Sequence, residues 1–161
     1  MGNRKIKCAE DSYTHMVEAV LPNDTNNIGN VLGGRVMHWI DIAGSIAARR
    51  HSGYDVVTAS MDILTFDHPI RRGAIAILEA TIVYVGNTSM DVEVKVYSED
   101  HSTNERKRTS TAYLTFVALD SDGNPVEVPM LDLCTEEQKR KFKEAEKRRK
   151  IRKKMRKVSR S

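Results

Sequence analysis

Residues 33–53 read GGRVMHWIDIAGSIAARRHSG, and the spacing of their apolar side chains decides the fold. Leu32, Val36, Trp39, Ile40, Ala43 and Ala47 recur at three- and four-residue steps, the period of a helix with one apolar face. Two glycines open the segment and Gly53 closes it. Arg49, Arg50 and His51 fall in its last turn, where positive charge complements the carboxyl end of the helix dipole. Ala43, Gly44, Ala47 and Ala48 keep its flanks thin, as a helix closely wrapped by other elements requires.

Outward from this helix the pattern changes to strands. Upstream, YTHMVEAVL (residues 13–21) partly alternates and ends at Pro22, and PNDTNNIGN, rich in turn formers, follows as a loop. Downstream come four β-like runs: Val56–Phe66, Ala74–Val85, Ser89–Glu99 and Ser110–Leu119. The turn GNTS joins the second to the third, and in the third Met90, Val92, Val94 and Val96 share one face. DSDGNP then leads through VEVPML to the end of the β region. One strand, one long helix and four consecutive strands predict an α+β domain over residues 13–134, an antiparallel sheet packed on one helix, after an extension at 1–12.

At 161 residues the chain suits one domain and a tail. Residues 1–134 hold 12 Lys or Arg against 18 Asp or Glu, whereas residues 135–161 hold 14 against 4, so the net charge of +4 belongs to the tail. That tail opens with Thr135 and Gln138 in capping-box spacing and continues in helix formers with few apolar residues. It is expected to be a solvated basic helix fraying into disorder. Cys8 and Cys134 stand near opposite ends with no CxxC pair, which argues against a disulfide framework and a structural zinc site. No apolar region follows the charged N-terminus and no apolar run is long enough to span a bilayer, so a cytoplasmic protein without a membrane span is expected.

Chemistry concentrates in DTNNIGNVLGGRVMHWID, residues 24–41. Gly33 and Gly34 at a helix start can aim free N–H groups at one point and stabilise an oxygen gaining negative charge, or they can simply make a tight turn. Asp41 lies about two turns into the helix beside Trp39 and Ile40, with Gly44 and Ser45 following on its own side. It reads equally as a general base, its pKa raised by apolar walls, or as an exposed carboxylate. Histidines 15, 38, 51, 68 and 101 are scattered without helical metal-site spacing, and Ser45 and Ser60 lack the setting of an activated nucleophile. Arg71 with Arg72, and Arg106, Lys107 and Arg108, are two clusters able to hold phosphates or to lie solvated in loops.

Together with VVTASMDILTFDHPIRRG, YVGNTSMDVEVKV and AYLTFVALDSDGNPVEVP, the motif around Asp41 resembles the acyl-CoA thioesterases of the hot-dog superfamily, in the bacterial short-chain and brain-type group. The resemblance covers about residues 12–130. It implies an antiparallel sheet wrapped around the long helix, subunits paired edge to edge, and a homodimer assembled further as a trimer of dimers. It also implies hydrolysis of acyl-coenzyme A to a free acid and coenzyme A, with no metal and no cofactor beyond the coenzyme A of the substrate. Asp41 matches the helix carboxylate that activates water or attacks the thioester, Asn26 the loop asparagine of the facing subunit, and Gly34 the backbone donor that polarises the carbonyl. Gly33, Thr58, Gly86, Thr88 and Ser89 match segments along the pantetheine path, and Arg71 and Arg72 are candidates for the phosphates. Arg35, after the glycine pair, occupies a variable position and can alter the substrate entrance.

Two other functions fit parts of the chain. A non-catalytic module that senses acyl-CoA would share the fold, although Asp41 and Asn26 together argue for an enzyme. The basic tail suggests a binder of nucleic acid or anionic membrane, but the acidic core and the single aromatic of the tail, Phe142, give base stacking little support. No nucleic-acid partner is expected.

Overall fold

The computed structural model describes residues 2–161 and, at positions 63 and 64, the backbone alone. In chain order its elements are β1 (Ile6–Cys8), β2 (Thr14–Ala19), α1 (Gly33–Ser52), β3 (Asp55–Phe66), β4 (Ile75–Val85), β5 (Ser89–Glu99), β6 (Arg106–Leu119), β7 (Met130–Asp132) and α2 (Glu136–Ser159). Five strands form one antiparallel sheet in the order β2-β4-β5-β6-β3, and β1 pairs in parallel with β7 apart from it. This is the α+β arrangement expected, the hot-dog fold: a sheet around a central helix, with a second helix at the C-terminus. Among the described residues no helix is long and apolar enough to cross a membrane.

Val36, Trp39, Ile40, Ala43 and Ala47 are buried along one stripe of α1, facing Met90, Val92, Val94 and Val96 of β5 and Leu114 and Phe116 of β6. Burial of each large apolar side chain contributes about 1.5–3 kcal/mol. Gly44 explains how close the layers come: a Cβ there would stand 3.0 Å from the Phe116 ring. Gly53 ends the helix at φ +76, a left-handed conformation suited to glycine, and its N–H donates to the Arg49 carbonyl at 2.8 Å.

Three sequence readings are corrected. Leu32 is the N-cap rather than part of the buried stripe and is 45% exposed. His51 is fully buried, with Nε2 2.8 Å from the Pro129 carbonyl, and burial lowers its pKa below the usual imidazole value. It is therefore no cation at the helix end, a role left to Arg49 and Arg50. The strand starting at Ser110 in the sequence reading begins at Arg106 instead, so Arg106, Lys107 and Arg108 pair with Glu99, Ser98 and Tyr97 of β5 rather than lying in a loop.

The tail departs furthest from expectation. Thr135 and Gln138 do form the capping box, but α2 runs unbroken to Ser159 and packs on the face of the sheet opposite α1. Phe142 meets Tyr84 with ring centroids 4.6 Å apart, and Ala145 is fully buried. Lys141 Nζ lies 2.9 Å from Glu93, Arg149 3.5 Å from Asp91, and Arg152 pairs with Asp62. Arg148 and Arg149 also lie over the rings of Tyr113 and Tyr84. The even residues of β5 thus face α1 while its buried odd residues, Asp91 and Glu93, are matched by cations of α2.

Candidate active site

Asp41 is half-buried on α1, and its Oδ1 accepts a hydrogen bond from the Thr58 hydroxyl at 2.6 Å. A register shift in the β3–β6 pairing between Thr58 and Ser60 marks a bulge beside this contact. Bulges re-aim side chains next to functional sites, and here the re-aimed hydroxyl fixes the carboxylate. Thr58, expected along the pantetheine path, therefore sits on Asp41 itself. Ser45, four residues on, donates instead to the Ile42 carbonyl.

Gly33 and Gly34 form the first two positions of α1, where N–H groups have no intrahelical acceptor, and Leu32 supplies no side-chain cap. Both glycines are exposed, and beyond its chain neighbours and its own helix backbone nothing among the described residues lies within 4 Å of where a Cβ of Gly34 would stand. The loop before them is braced: Asp24 Oδ2 accepts from the Leu21 N–H at 2.9 Å, and its Oδ1 lies 3.2 Å from Arg35 Nε. Arg35 is thus tied back to the loop. Asn26 uses Oδ1 to accept the N–H groups of Ile28 and Asn30, both at 3.1 Å, which closes the loop on itself. Among the described residues its side-chain NH2 makes no hydrogen bond, and none joins Asn26 to Asp41.

The same loop holds the arginine pair. Arg72 N–H donates to the Gly29 carbonyl at 2.9 Å, and Asn30 bridges Arg71. Arg71 and Arg72 line a cavity of about 460 Å³ together with Lys107, His68 and His101. Of the second basic cluster only Lys107 reaches this concavity, while Arg106 is engaged by Glu79 and Glu99 and lies over Tyr97. Asp41, Asn26 and Gly34 do not line this cavity.

Gly86 and Thr88 lie in the turn between β4 and β5, and Ser89 opens β5. Through the pairings of Met90 with Phe116 and of Phe116 with Thr58, that turn lies at the same end of the sheet as Asp41, two strands away. Ser89, however, turns to the outer face, where its Oγ accepts from Arg149 at 2.6 Å. A Cβ at Gly86 would stand 2.9 Å from Ser89 Oγ, so a side chain there would require the Ser89 hydroxyl to turn away from Arg149.

Within one subunit these groups stay apart. Seven residues of helix separate Gly34 from Asp41, about 10 Å at about 1.5 Å of rise per residue, too far for both to touch one carbonyl. Around them apolar side chains stand open to solvent, including Ile28 at 76%, Val57 at 47% and Phe66 at 53%. β3, whose Thr58 holds Asp41, is also an unpaired edge of the sheet.

Comparison with known proteins identifies the family. The family model described as the thioesterase superfamily matches residues 28–104. An uncharacterized acyl-CoA thioester hydrolase of Bacillus subtilis is 42% identical over 138 residues, covering 86% of this chain and 80% of that one. A cytosolic acyl coenzyme A thioester hydrolase of Rattus norvegicus is 34% identical over 135 residues, 83% of this chain but 35% of the rat protein, so the chain spans about a third of that relative. The acyl-CoA hydrolase of Staphylococcus aureus, solved with butyryl coenzyme A, coenzyme A and coenzyme A disulfide, superposes with a TM-score of 0.89 at 35% identity, covering 96% of this chain and 94% of that one. Variants of that enzyme with one Asp, one Asn or one Thr changed to Ala have also been solved. A hexameric acyl-CoA thioesterase superposes at 0.90 with 38% identity, over 94% of this chain and 97% of the other. The chain belongs to the thioesterase superfamily, as a hot-dog acyl-CoA hydrolase.

Proposed function

We propose that the protein hydrolyses the thioester of acyl-coenzyme A to a free carboxylic acid and coenzyme A, at a site shared by two subunits. Asp41 activates water or attacks the thioester carbonyl, and the Thr58 hydroxyl holds it in position. Gly34 of the facing subunit donates its N–H to the carbonyl oxygen as charge builds there, and Asn26, on the loop leading to that glycine, orients the water or the carboxylate. The observation that carries this reading is the Asp41–Thr58 hydrogen bond. It joins two residues of an Asn–Asp–Thr set separated by 15 and 17 residues, the same separations as the three positions changed to Ala in the Staphylococcus aureus enzyme.

The distance along α1 supports the division of labour. If Gly34 and Asp41 act on one thioester, about 10 Å of helix obliges a second copy to supply one of them. The unpaired β3 edge and the exposed apolar residues beside it fit such a partner, in a homodimer assembled as a trimer of dimers like the hexameric relative. The coenzyme A phosphates lie against Arg71 and Arg72, with Lys107 as a further donor, and Gly33 and the Gly86–Thr88–Ser89 turn border the pantetheine path through their backbone. The chemistry needs no metal and no cofactor, and the cytosolic relative supports a cytoplasmic location.

Steady-state hydrolysis of acyl-coenzyme A of increasing chain length, with the released thiol followed by a thiol reagent, tests the reading. Asp41→Ala is expected to lose at least about a hundredfold in turnover, the lower end for a positioned base, while remaining folded and oligomeric. Near wild-type turnover in such a variant would remove Asp41 from the mechanism.

A further inference from the structure

Cys8 and Cys134 are 126 residues apart in sequence, yet the fold brings them together. Parallel pairing of β1 with β7 sets Cys8 opposite Asp132, and Cys134 follows two residues later. The two Sγ atoms lie 4.0 Å apart and Cys8 Sγ lies 3.8 Å from an Asp132 carboxylate oxygen, with one ligand atom of each residue within 4.8 Å of the other two. A separation of 4.0 Å is about twice a disulfide bond of about 2.05 Å. It is close instead to the separation of ligands around one ion, since two thiolates each about 2.3 Å from a tetrahedral zinc stand about 3.8 Å apart.

The electrostatics point the same way. Asp132 forms no ion pair among the described residues. Cys8 is half-buried and the other two are exposed, which leaves the cluster open to a hydrated ion. The cluster is also at a junction. Cys134 N–H donates to Gln138 Oε1 at 2.7 Å in the first turn of α2, and Gln138 Nε2 donates to Glu10 at 2.6 Å.

We propose that Cys8, Asp132 and Cys134 bind a thiophilic divalent cation of the zinc type through two thiolates and one carboxylate, with water as fourth ligand. Soft thiolates favour such ions over magnesium or calcium. On binding, both thiols release their protons to solvent, and the two thiolates and the carboxylate leave the site with a net charge of about −1 around the dication. The ion clips the N-terminal strand to the start of α2. It shares no residue with the Asp41 site, so its effect falls on stability rather than on turnover.

The test is titration of the reduced full-length protein with Co2+ as a spectroscopic substitute for Zn2+. One Co2+ per chain is expected, with a thiolate-to-cobalt charge-transfer band and the intense visible bands of a four-coordinate centre, and one equivalent of Zn2+ should displace it. Because loss even of a group supporting a ligand costs about 10- to 100-fold in affinity, Cys8→Ser or Cys134→Ser should weaken binding at least about a hundredfold. Asp132→Asn should weaken binding while keeping the charge-transfer band, and Zn2+ should raise the Tm of the wild type but not that of Cys134→Ser. Absence of a charge-transfer band at one equivalent, in protein with both thiols shown to be free, would overturn the proposal. So would failure of Zn2+ to slow the joining of the two cysteines by glutathione disulfide, which would identify the pair as a redox dithiol.

Discussion

At the scale of the residue, Asp41 was legible because a carboxylate on the apolar-flanked side of a helix, followed by Gly44 and Ser45, leaves room beside it. Thr58 was legible only as part of a family segment, since its contact with Asp41 depends on a bulge that no alternation pattern specifies. Hydrogen bonds to charged groups contribute about 1.5–3 kcal/mol, so Thr58→Val should lower kcat about 10- to 100-fold with little change in KM. A rise in KM alone, in steady-state assays of the purified variant, would place Thr58 on the substrate instead. His51 was misread because charge was assigned to it from its position at the helix end, whereas packing under Pro129 excludes water from the ring. With its folded pKa lowered, the native state binds fewer protons than the unfolded chain once pH falls below the unfolded value of about 6.5. Stability contributed at neutral pH is therefore lost as pH drops from there toward the folded pKa. Thermal melts of wild type and His51→Gln between about pH 7.5 and 5.5 should show a shallower decline in the variant.

At the scale of the element, α1 and the strands of the main sheet could be read from periodicity, because each buries a face whose spacing repeats along the chain. β1 and β7 could not, since three-residue strands carry too short a pattern and are defined by each other. α2 was misjudged for a different reason: its few apolar residues suggested no anchorage, while its partners, Asp62, Asp91 and Glu93, lie on strands where acidic residues read as solvent-facing. Burial pushes the carboxyl groups of Asp91 and Glu93 upward. For Asp91 burial prevails over Arg149 and Thr115, whereas for Glu93 Lys141, with Lys95 and Tyr113, outweighs it and brings the net shift below the usual value. Removing one member of a buried pair leaves the other uncompensated, so Lys141→Ala should cost about 3 kcal/mol, the low end of such losses because Lys95 and Tyr113 remain. Urea unfolding of both proteins measures this, and a change below about 0.5 kcal/mol, the range of an ordinary surface substitution, would show that α2 does not depend on the pair.

At the scale of the whole molecule, neither composition nor periodicity bears on the proposed division of the site between subunits; the family resemblance implied it, and the length of helix between Gly34 and Asp41 gives it a physical basis. Mixing two damaged chains tests it. If Asn26→Ala and Asp41→Ala chains refold together and pair at random, roughly half the dimers are mixed, and each holds one intact and one doubly damaged site. Activity should recover to roughly a quarter of wild type, and no recovery in dimers shown by mass spectrometry to be mixed would refute the shared site. The docking of α2 also bears on biosynthesis. The sheet emerges from the ribosome before the helix that covers it. The waiting face sets Asp62, Asp91 and Glu93 among the rings of Tyr84 and Tyr113, so until the basic helix arrives its carboxylates keep the aromatic surface hydrated and repel the like faces of neighbouring nascent chains.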